Sequence, residues 1–227
     1  MGQRHLFIRM AGCNLRCRYC DTPGSLERTR GYTLHGRGGG RQRYPNPVSA
    51  IDLAQQIERL LRHEAPIDAI ALTGGEPLTQ SEFLSAFLRA GRFPVWILLE
   101  TSGALPHRLP DLLPLVNVIS MDVKLPSNTG EKPLWEAHAE FLRLSRAKDL
   151  YAKLLVDQTT TDQDVERAAT LLAPIRPAVP TFMQPIVDVA GRPLIDSQRL
   201  THLYVLARRQ LDAIRVLPQI HKALGLR

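Results

Sequence analysis

The chain has 227 residues, 44% of them hydrophobic and 22% charged, a composition that supports one large packed core and excludes a disordered or fibrous chain. No apolar run reaches the length of a membrane span, and the short apolar run after Met1-Gly2-Gln3-Arg4-His5 lacks the length and cleavage site of a signal peptide, so a cytoplasmic protein with reduced cysteines is expected. The formal net charge of +7 suits anionic substrates or a loose affinity for nucleic acid; a generally basic surface explains it equally well, and no basic patch is interleaved with aromatics as RNA binding would need.

His5 to Ala11 (HLFIRMA) reads as a short buried strand that delivers Gly12-Cys13-Asn14-Leu15-Arg16-Cys17-Arg18-Tyr19-Cys20-Asp21-Thr22. From Pro23 to Pro47 the chain is rich in Gly and Arg and, at about 25 residues, too long for a plain connection. An irregular insertion is expected there, either solvated and mobile or a flap on the substrate side. Ser49 with Asp52 caps a helix with an apolar face of Ile51, Leu53, Ala54, Ile57, Leu60 and Leu61. Asp68 to Leu72 is a buried strand ending at Thr73-Gly74-Gly75-Glu76-Pro77, and Thr79 with Glu82 reads as the capping box of a helix that stops at Gly91. Pro94 to Leu99 is a strand ending at Glu100-Thr101-Ser102-Gly103, and Val116 to Met121 a strand ending at Asp122-Val123-Lys124. Helix Leu134–Arg146, strand Leu150–Val156, helix Asp162–Leu172 capped by Thr161, strand Pro180–Met183 before Gln184-Pro185, helix Ser197–Gln210 and strand Ala213–Leu217 complete the chain, which closes on Pro218-Gln219-Ile220-His221-Lys222. The repeated alternation predicts an α/β fold, a parallel sheet with helices outside, as a single domain over residues 1–227 interrupted only by the 23–47 insertion.

All three cysteines lie in one C-x3-C-x2-C run. Soft thiolates at that density suit an iron–sulfur cluster or zinc, and an odd number cannot all pair as disulfides. A 4Fe–4S cluster would keep one iron open to a small molecule, whereas structural zinc would need a fourth ligand from elsewhere. The polar motifs all follow strands, and parallel α/β folds bind ligands at the carboxyl ends of strands. Paired glycines allow close backbone approach to a ligand, and the carboxylate of Glu76 can grip an ammonium; a plain Gly-Gly turn before a helix-starting proline is the bland alternative. Together the two motifs point to S-adenosylmethionine, with its amino and carboxylate groups on the open iron and its methionine end held by Glu76 and the Gly74–Gly75 backbone.

These two motifs resemble those of the radical S-adenosylmethionine superfamily. Within it the chain is similar to the 7-carboxy-7-deazaguanine synthase family, through Arg9-Met10-Ala11-Gly12-Cys13-Asn14-Leu15-Arg16-Cys17, through Asp21-Thr22 after the third cysteine, through Thr73 before Gly74-Gly75-Glu76-Pro77, and through the closing Pro-Gln-x-His-Lys. The resemblance implies a partial (β/α)6 barrel, Cys13, Cys17 and Cys20 as cluster ligands, and Tyr19, Cys20 and Asp21 along the cofactor. It also implies Arg9 and Thr73 on 6-carboxy-tetrahydropterin, Thr22 on a Mg²⁺ ion, a lyase that is a homodimer, and an electron donor such as flavodoxin or ferredoxin. A hydroxyl suits Mg²⁺, which takes few protein oxygens; a plain cap after the loop is the alternative for Thr22. By their places after strands, Ser102 and Gln184 are further cofactor candidates, Gln184 equally a core-edge residue.

The chain departs from this family in three places. Its first residues resemble the middle of the family's opening G-x-x-x-x-F-V-R-L, so an upstream strand with a Q-G-E-G segment is expected. Asp122-Val123-Lys124 stands where the family often has Ser-Pro-Lys; it resembles glycyl-radical activating enzymes, where this pair also serves the cofactor, or is a strand-end charge pair. The Gly36–Arg43 run has no assignment. A glycyl-radical activating enzyme and a zinc-binding structural module are the alternative functions. Most histidines are expected on the surface, His221 excepted, and Trp96 and Trp135 in packing.

Overall fold

Strands and helices follow one another in the expected alternation and gather into two compact units. The structure, a computed structural model, describes residues 3–36, 40–63, 66–175 and 178–219; the expected site residue His221 lies outside them. The first unit comprises Met1–Asn14, Thr22–Glu100 and His107–Val118, the second Leu15–Asp21, Thr101–Pro106 and Ile119–Arg227.

The first unit carries β1 (His5–Met10), β2 (Gly31–His35), β3 (Arg41–Pro45), α1 (Ala50–His63), β4 (Ala69–Gly74), α2 (Ser81–Ala90) and β5 (Trp96–Thr101). β4 pairs in parallel with β1 on one side and β5 on the other. Ala69, Ile70, Ala71 and Leu72 are all buried, the continuous apolar run expected of a parallel strand covered on both faces. α1 packs on α2, burying Leu53, Ala54 and Ile57 on one and Leu84, Phe87 and Leu88 on the other, each large side chain contributing about 1.5–3 kcal/mol relative to exposure. Ser49 caps α1 as expected, its Oγ accepting the Asp52 N–H at 3.0 Å. The Thr79–Glu82 capping box does not form: Thr79 Oγ1 donates to the Glu76 carbonyl, inside a 3-10 turn over Pro77–Gln80 that precedes α2. Two packing expectations also fail. Ile51 is 61% exposed because it lies about 120° around the helix from the Leu53–Ala54–Ile57 stripe. Trp96 is 57% exposed, at the first position of β5, ahead of the strand's buried stretch.

The stretch expected to be irregular contains an antiparallel hairpin. β2 and β3 pair with Tyr32 opposite Tyr44 and His35 opposite Arg41. The two tyrosine rings stack at 5.3 Å, and Tyr32 donates its hydroxyl to Gln56 Oε1 of α1 at 2.7 Å. Arg30 and Asn46 close the base, the Asn46 N–H on the Arg30 carbonyl at 3.0 Å.

The second unit carries β6 (Val118–Asp122), α3 (Pro126–Thr129), α4 (Trp135–Ser145), β7 (Asp149–Val156), α5 (Asp162–Leu172), β8 (Thr181–Pro185), α6 (Ser197–Arg208) and β9 (Ile214–Val216). Its strands lie in the order β6-β7-β8-β9, with β7, β8 and β9 parallel. Phe141 and Leu142 of α4, Val165, Ala168, Ala169 and Leu172 of α5 and Leu203 of α6 fill its core. Thr161 caps α5 as expected and Asp196 caps α6, each accepting a backbone N–H from the first turn. Neither run of strands closes on itself among the described residues, consistent with an open, partial barrel.

Candidate functional site

In the first unit β1 and β4 end side by side. Their register sets Arg9 against Thr73 and Met10 against Gly74, so the two residues expected to meet substrate are neighbours on paired strands. Arg9 is exposed and Thr73 buried. Thr73 Oγ1 donates to Glu100 Oε2 at 3.0 Å. Glu100 stands outside the residues singled out from the sequence, although its place at the head of the motif closing β5 was a signal. Guanidinium, hydroxyl and carboxylate thus come from the ends of three adjacent strands.

The paired glycines make their close approach to the protein's own backbone. Gly75 donates its N–H to the Met10 carbonyl at 3.0 Å, and Glu76 donates its own to the Gly12 carbonyl at 2.9 Å. A Cβ on Gly75 would lie 2.2 Å from the Gly12 oxygen, and one on Gly74, at φ +126°, would lie 2.2 Å from the Met10 oxygen. Gly12 in turn donates to the Ser25 carbonyl at 2.8 Å. The glycine motif therefore clamps the stem of the cysteine loop, with Cys13 the next residue. Glu76, 1% exposed, accepts the Leu78 N–H on Oε1 and caps the Pro77–Gln80 turn. Thr22 takes the N-cap position of a 3-10 turn over Pro23–Ser25, yet its side chain makes no capping bond, while its carbonyl accepts the Ser25 hydroxyl at 2.7 Å.

In the second unit Leu15–Asp21 is fastened to α3, a helix the sequence did not announce. Arg18 N–H donates to the Thr129 carbonyl at 2.9 Å, Arg18 Nη2 to the Ser127 carbonyl, and Arg16 N–H to Glu131 Oε1. Cys20 N–H turns back on the Cys17 carbonyl at 3.1 Å. Beside this loop Asp122 is shared by two lysines: Lys124 Nζ stands 3.2 Å from Oδ2, and Lys153 Nζ of β7 stands 2.9 Å from Oδ1. Lys124 also lies over the Tyr19 ring, 5.4 Å from its centroid. Burial pushes the Asp122 carboxyl up, but Lys153 and Lys124 outweigh it and hold the pKa at about 2. Burial pulls Lys124 down, and Asp122, Tyr19 and Cys17 overcome that and keep it well above the usual lysine value. Burial raises the Tyr19 phenol to about 12. Lys153 was not a sequence candidate; it lies within the apolar run of β7.

Ser102 is buried, its Oγ accepting the Ala104 N–H at 3.3 Å and its carbonyl held by His138 Nε2 at 3.0 Å. His138 of α4 is fully buried, contrary to the surface expected of it, and burial depresses its pKa to about 4. The Ser102 bond makes Nε2 the protonated nitrogen of a neutral ring. Asp21 is exposed, and Gln184 is half-buried in β8, level with Leu155 of β7.

Among the described residues no group of three His, Cys, Asp or Glu stands already gathered as metal ligands. The donor chemistry nonetheless fits a cluster: three half-buried thiols, none in a disulfide, on one short loop. Residues 7–172 match the profile of the radical SAM superfamily. The 7-carboxy-7-deazaguanine synthase of Geobacter sulfurreducens is 33% identical over 228 residues, covering 99% of this chain and 91% of that one. That of Methanopyrus kandleri is 34% identical over 230 residues, covering 98% and 86%. Among solved structures, a radical SAM methyltransferase from Sphaerobacter thermophilus matches with a TM-score of 0.62 at 16% identity, over 93% of this chain and 66% of its own length. Streptococcus suis SuiB, bound to precursor peptide SuiA, matches at 0.59 and 14% identity, over 98% and 51%. These structural likenesses speak for the fold alone. The profile and the nearly full-length relatives place the chain in the radical SAM superfamily and, within it, in the 7-carboxy-7-deazaguanine synthase family.

Proposed function

We propose that the chain is a lyase that contracts the ring of 6-carboxy-5,6,7,8-tetrahydropterin to 7-carboxy-7-deazaguanine with loss of ammonia, a step of queuosine and 7-deazapurine biosynthesis. The observation that carries this reading is the pairing of Arg9 with Thr73 at the ends of β1 and β4, in a chain that spans 91% of a synthase. When bound, a 4Fe–4S cluster and S-adenosylmethionine supply the radical that abstracts a substrate hydrogen. Cys13, Cys17 and Cys20 would hold the cluster. Tyr19, Asp21, Gly74, Gly75, Glu76, Ser102, Asp122, Lys124 and Gln184 would line the cofactor, with the Asp122–Lys124 pair suited to the ammonium and carboxylate of an amino acid.

The chain's own contribution is aim and orientation. Arg9 offers a planar fork to the substrate carboxylate. Glu100, steered by the Thr73 hydroxyl, offers an acceptor to the N–H edge of a pterin. Thr22, whose side chain makes no capping bond, would be the residue to hold Mg²⁺, an ion that takes few protein oxygens. A single domain over 1–227, a cytoplasmic home, a homodimer and a flavodoxin or ferredoxin as reductant belong to the same reading and rest on the family. No described helix is long and apolar enough to cross a membrane.

The test is anaerobic reconstitution with iron and sulfide, followed by incubation with the tetrahydropterin, S-adenosylmethionine, Mg²⁺ and dithionite. Appearance of the deazapurine by absorbance and mass, with iron lost in Cys13→Ser, is expected. A reconstituted protein that cleaves the cofactor but forms no deazapurine would overturn the assignment, and a colourless protein with stoichiometric zinc would overturn the cluster.

A further inference from the structure

The β2–β3 hairpin has a face that the site does not use. Strand alternation sends Tyr32, Leu34, Gln42 and Tyr44 to one side, where the Tyr32 hydroxyl meets Gln56 of α1 and the other three line a cavity of about 280 Å³ with Arg59 and His63. The opposite side presents Thr33, His35, Arg41 and Arg43, all exposed. Between Glu27 and His63 the sequence holds seven arginines, no lysine and three carboxylates. Of those carboxylates Glu58 is already engaged, by Arg62 and by the Arg92 N–H. Among the described residues neither Arg41 nor Arg43 is in an ion pair. Three residues before β2, Arg28 lines an open cleft of about 340 Å³ together with Cys13, Asn14, Leu26 and Gln80. The cationic face and the cleft that reaches a cluster ligand thus lie along one short run of chain in the same unit.

We propose that the arginine face of Arg41 and Arg43, with Arg28 at the cleft three residues ahead of the hairpin, is the docking surface for an acidic one-electron donor protein, whose electron enters at that cleft beside Cys13. The inference rests on the cluster-dependent reaction proposed above. One electron leaves the donor's flavin and passes to the oxidised cluster, so the donor is oxidised and the cluster reduced by the same single equivalent. Arginine suits carboxylates, which its planar fork grips bidentately. An acidic protein fits this face better than single-stranded nucleic acid: Tyr32 and Tyr44 stack on each other and are tied to α1, so they offer bases no platform.

The experiment uses the reconstituted full chain and a purified acidic flavodoxin as probe. R41E/R43E is expected to raise the Kd at low salt at least tenfold and to slow cluster reduction by flavodoxin in proportion, while reduction by dithionite keeps its wild-type rate. The pair R41Q/R43Q removes the charge without reversing it and is expected to show a smaller loss of the same sign. An unchanged Kd in both variants overturns the proposal, as does retained flavodoxin binding alongside lost binding of a short RNA duplex. Product formation driven by dithionite reports on the proposed reaction separately: its failure with intact flavodoxin docking sinks the reaction and not the surface.

Discussion

Lys153 and Asp122 form a 2.9 Å ion pair, so the carboxylate that the sequence offers to Lys124 alone carries a second cation from β7. Removing the shared anion leaves two ammonium groups together in a largely enclosed place; removing one lysine leaves a matched pair. Asp122→Asn is therefore expected to cost about 3 kcal/mol or more of folding stability, and Lys153→Met clearly less. Urea denaturation of the cluster-free chain at neutral pH checks the order, and equal losses would contradict it.

His138 makes a pH prediction. Its folded pKa, depressed to about 4, lies below the ordinary 6.5 because burial disfavours the imidazolium. Between those values the unfolded chain binds the proton and the folded chain does not, so stability rises with pH across this window. The contribution is fully present above pH 6.5 and is lost as pH falls from there toward 4, on the order of 3 kcal/mol in all. His138→Gln, which can still donate to the Ser102 carbonyl, is expected to flatten that slope. Denaturation curves at pH 7.5 and pH 5 compare the two proteins, and parallel slopes would remove the assignment.

Thr73 and Arg9 separate binding from radical generation. Thr73→Val strips a buried donor from Glu100, a loss of about 1 kcal/mol. Arg9→Ala removes the cation expected to face the substrate carboxylate. A several-fold rise in KM for the tetrahydropterin is expected from the first and more than tenfold from the second, with uncoupled cleavage of S-adenosylmethionine unchanged in both. Steady-state kinetics beside a substrate-free cleavage assay decide it.

Two glycines of the first unit behave oppositely. Gly75→Ala drives a Cβ to 2.2 Å from the Gly12 oxygen, so the stem of the cysteine loop must move; iron bound per chain is expected to fall by at least half after reconstitution. Gly24 has nothing within 4 Å of the same position, and Gly24→Ala is expected to bind iron normally. Iron analysis and the visible absorbance of the reconstituted proteins supply the comparison.

The strand–helix order was legible because apolar runs such as Ala69–Leu72 and amphipathic segments such as Asp162–Leu172 carry clean periods, and those parts match. The hairpin was hidden because its period of two rests on Tyr32, Leu34 and Tyr44 alone, scattered among glycines and arginines that read as loop. His138 sits between Glu136 and Glu140 and looks solvated, yet Trp135, Phe141 and Leu142 at helical spacing put it on the buried stripe. The cysteine loop needed no structure, since its chemistry is local. Lys153 and Glu100 needed one, because which strand lies beside which is a property of the sheet and not of any window of sequence.

The clamp of Gly75 on Gly12 bears on how relatives of this chain can diverge. A side chain at position 75 is barred for as long as the Gly12 and Ser25 carbonyls stay where they are, and the loop cannot retreat without letting Cys13 drift. The two signature motifs, more than fifty residues apart, are the two halves of one joint. Across homologues they should be inherited or lost together, and a chain that kept its cysteines but filled the glycine position would have had to rebuild the turn at Ser25 as well.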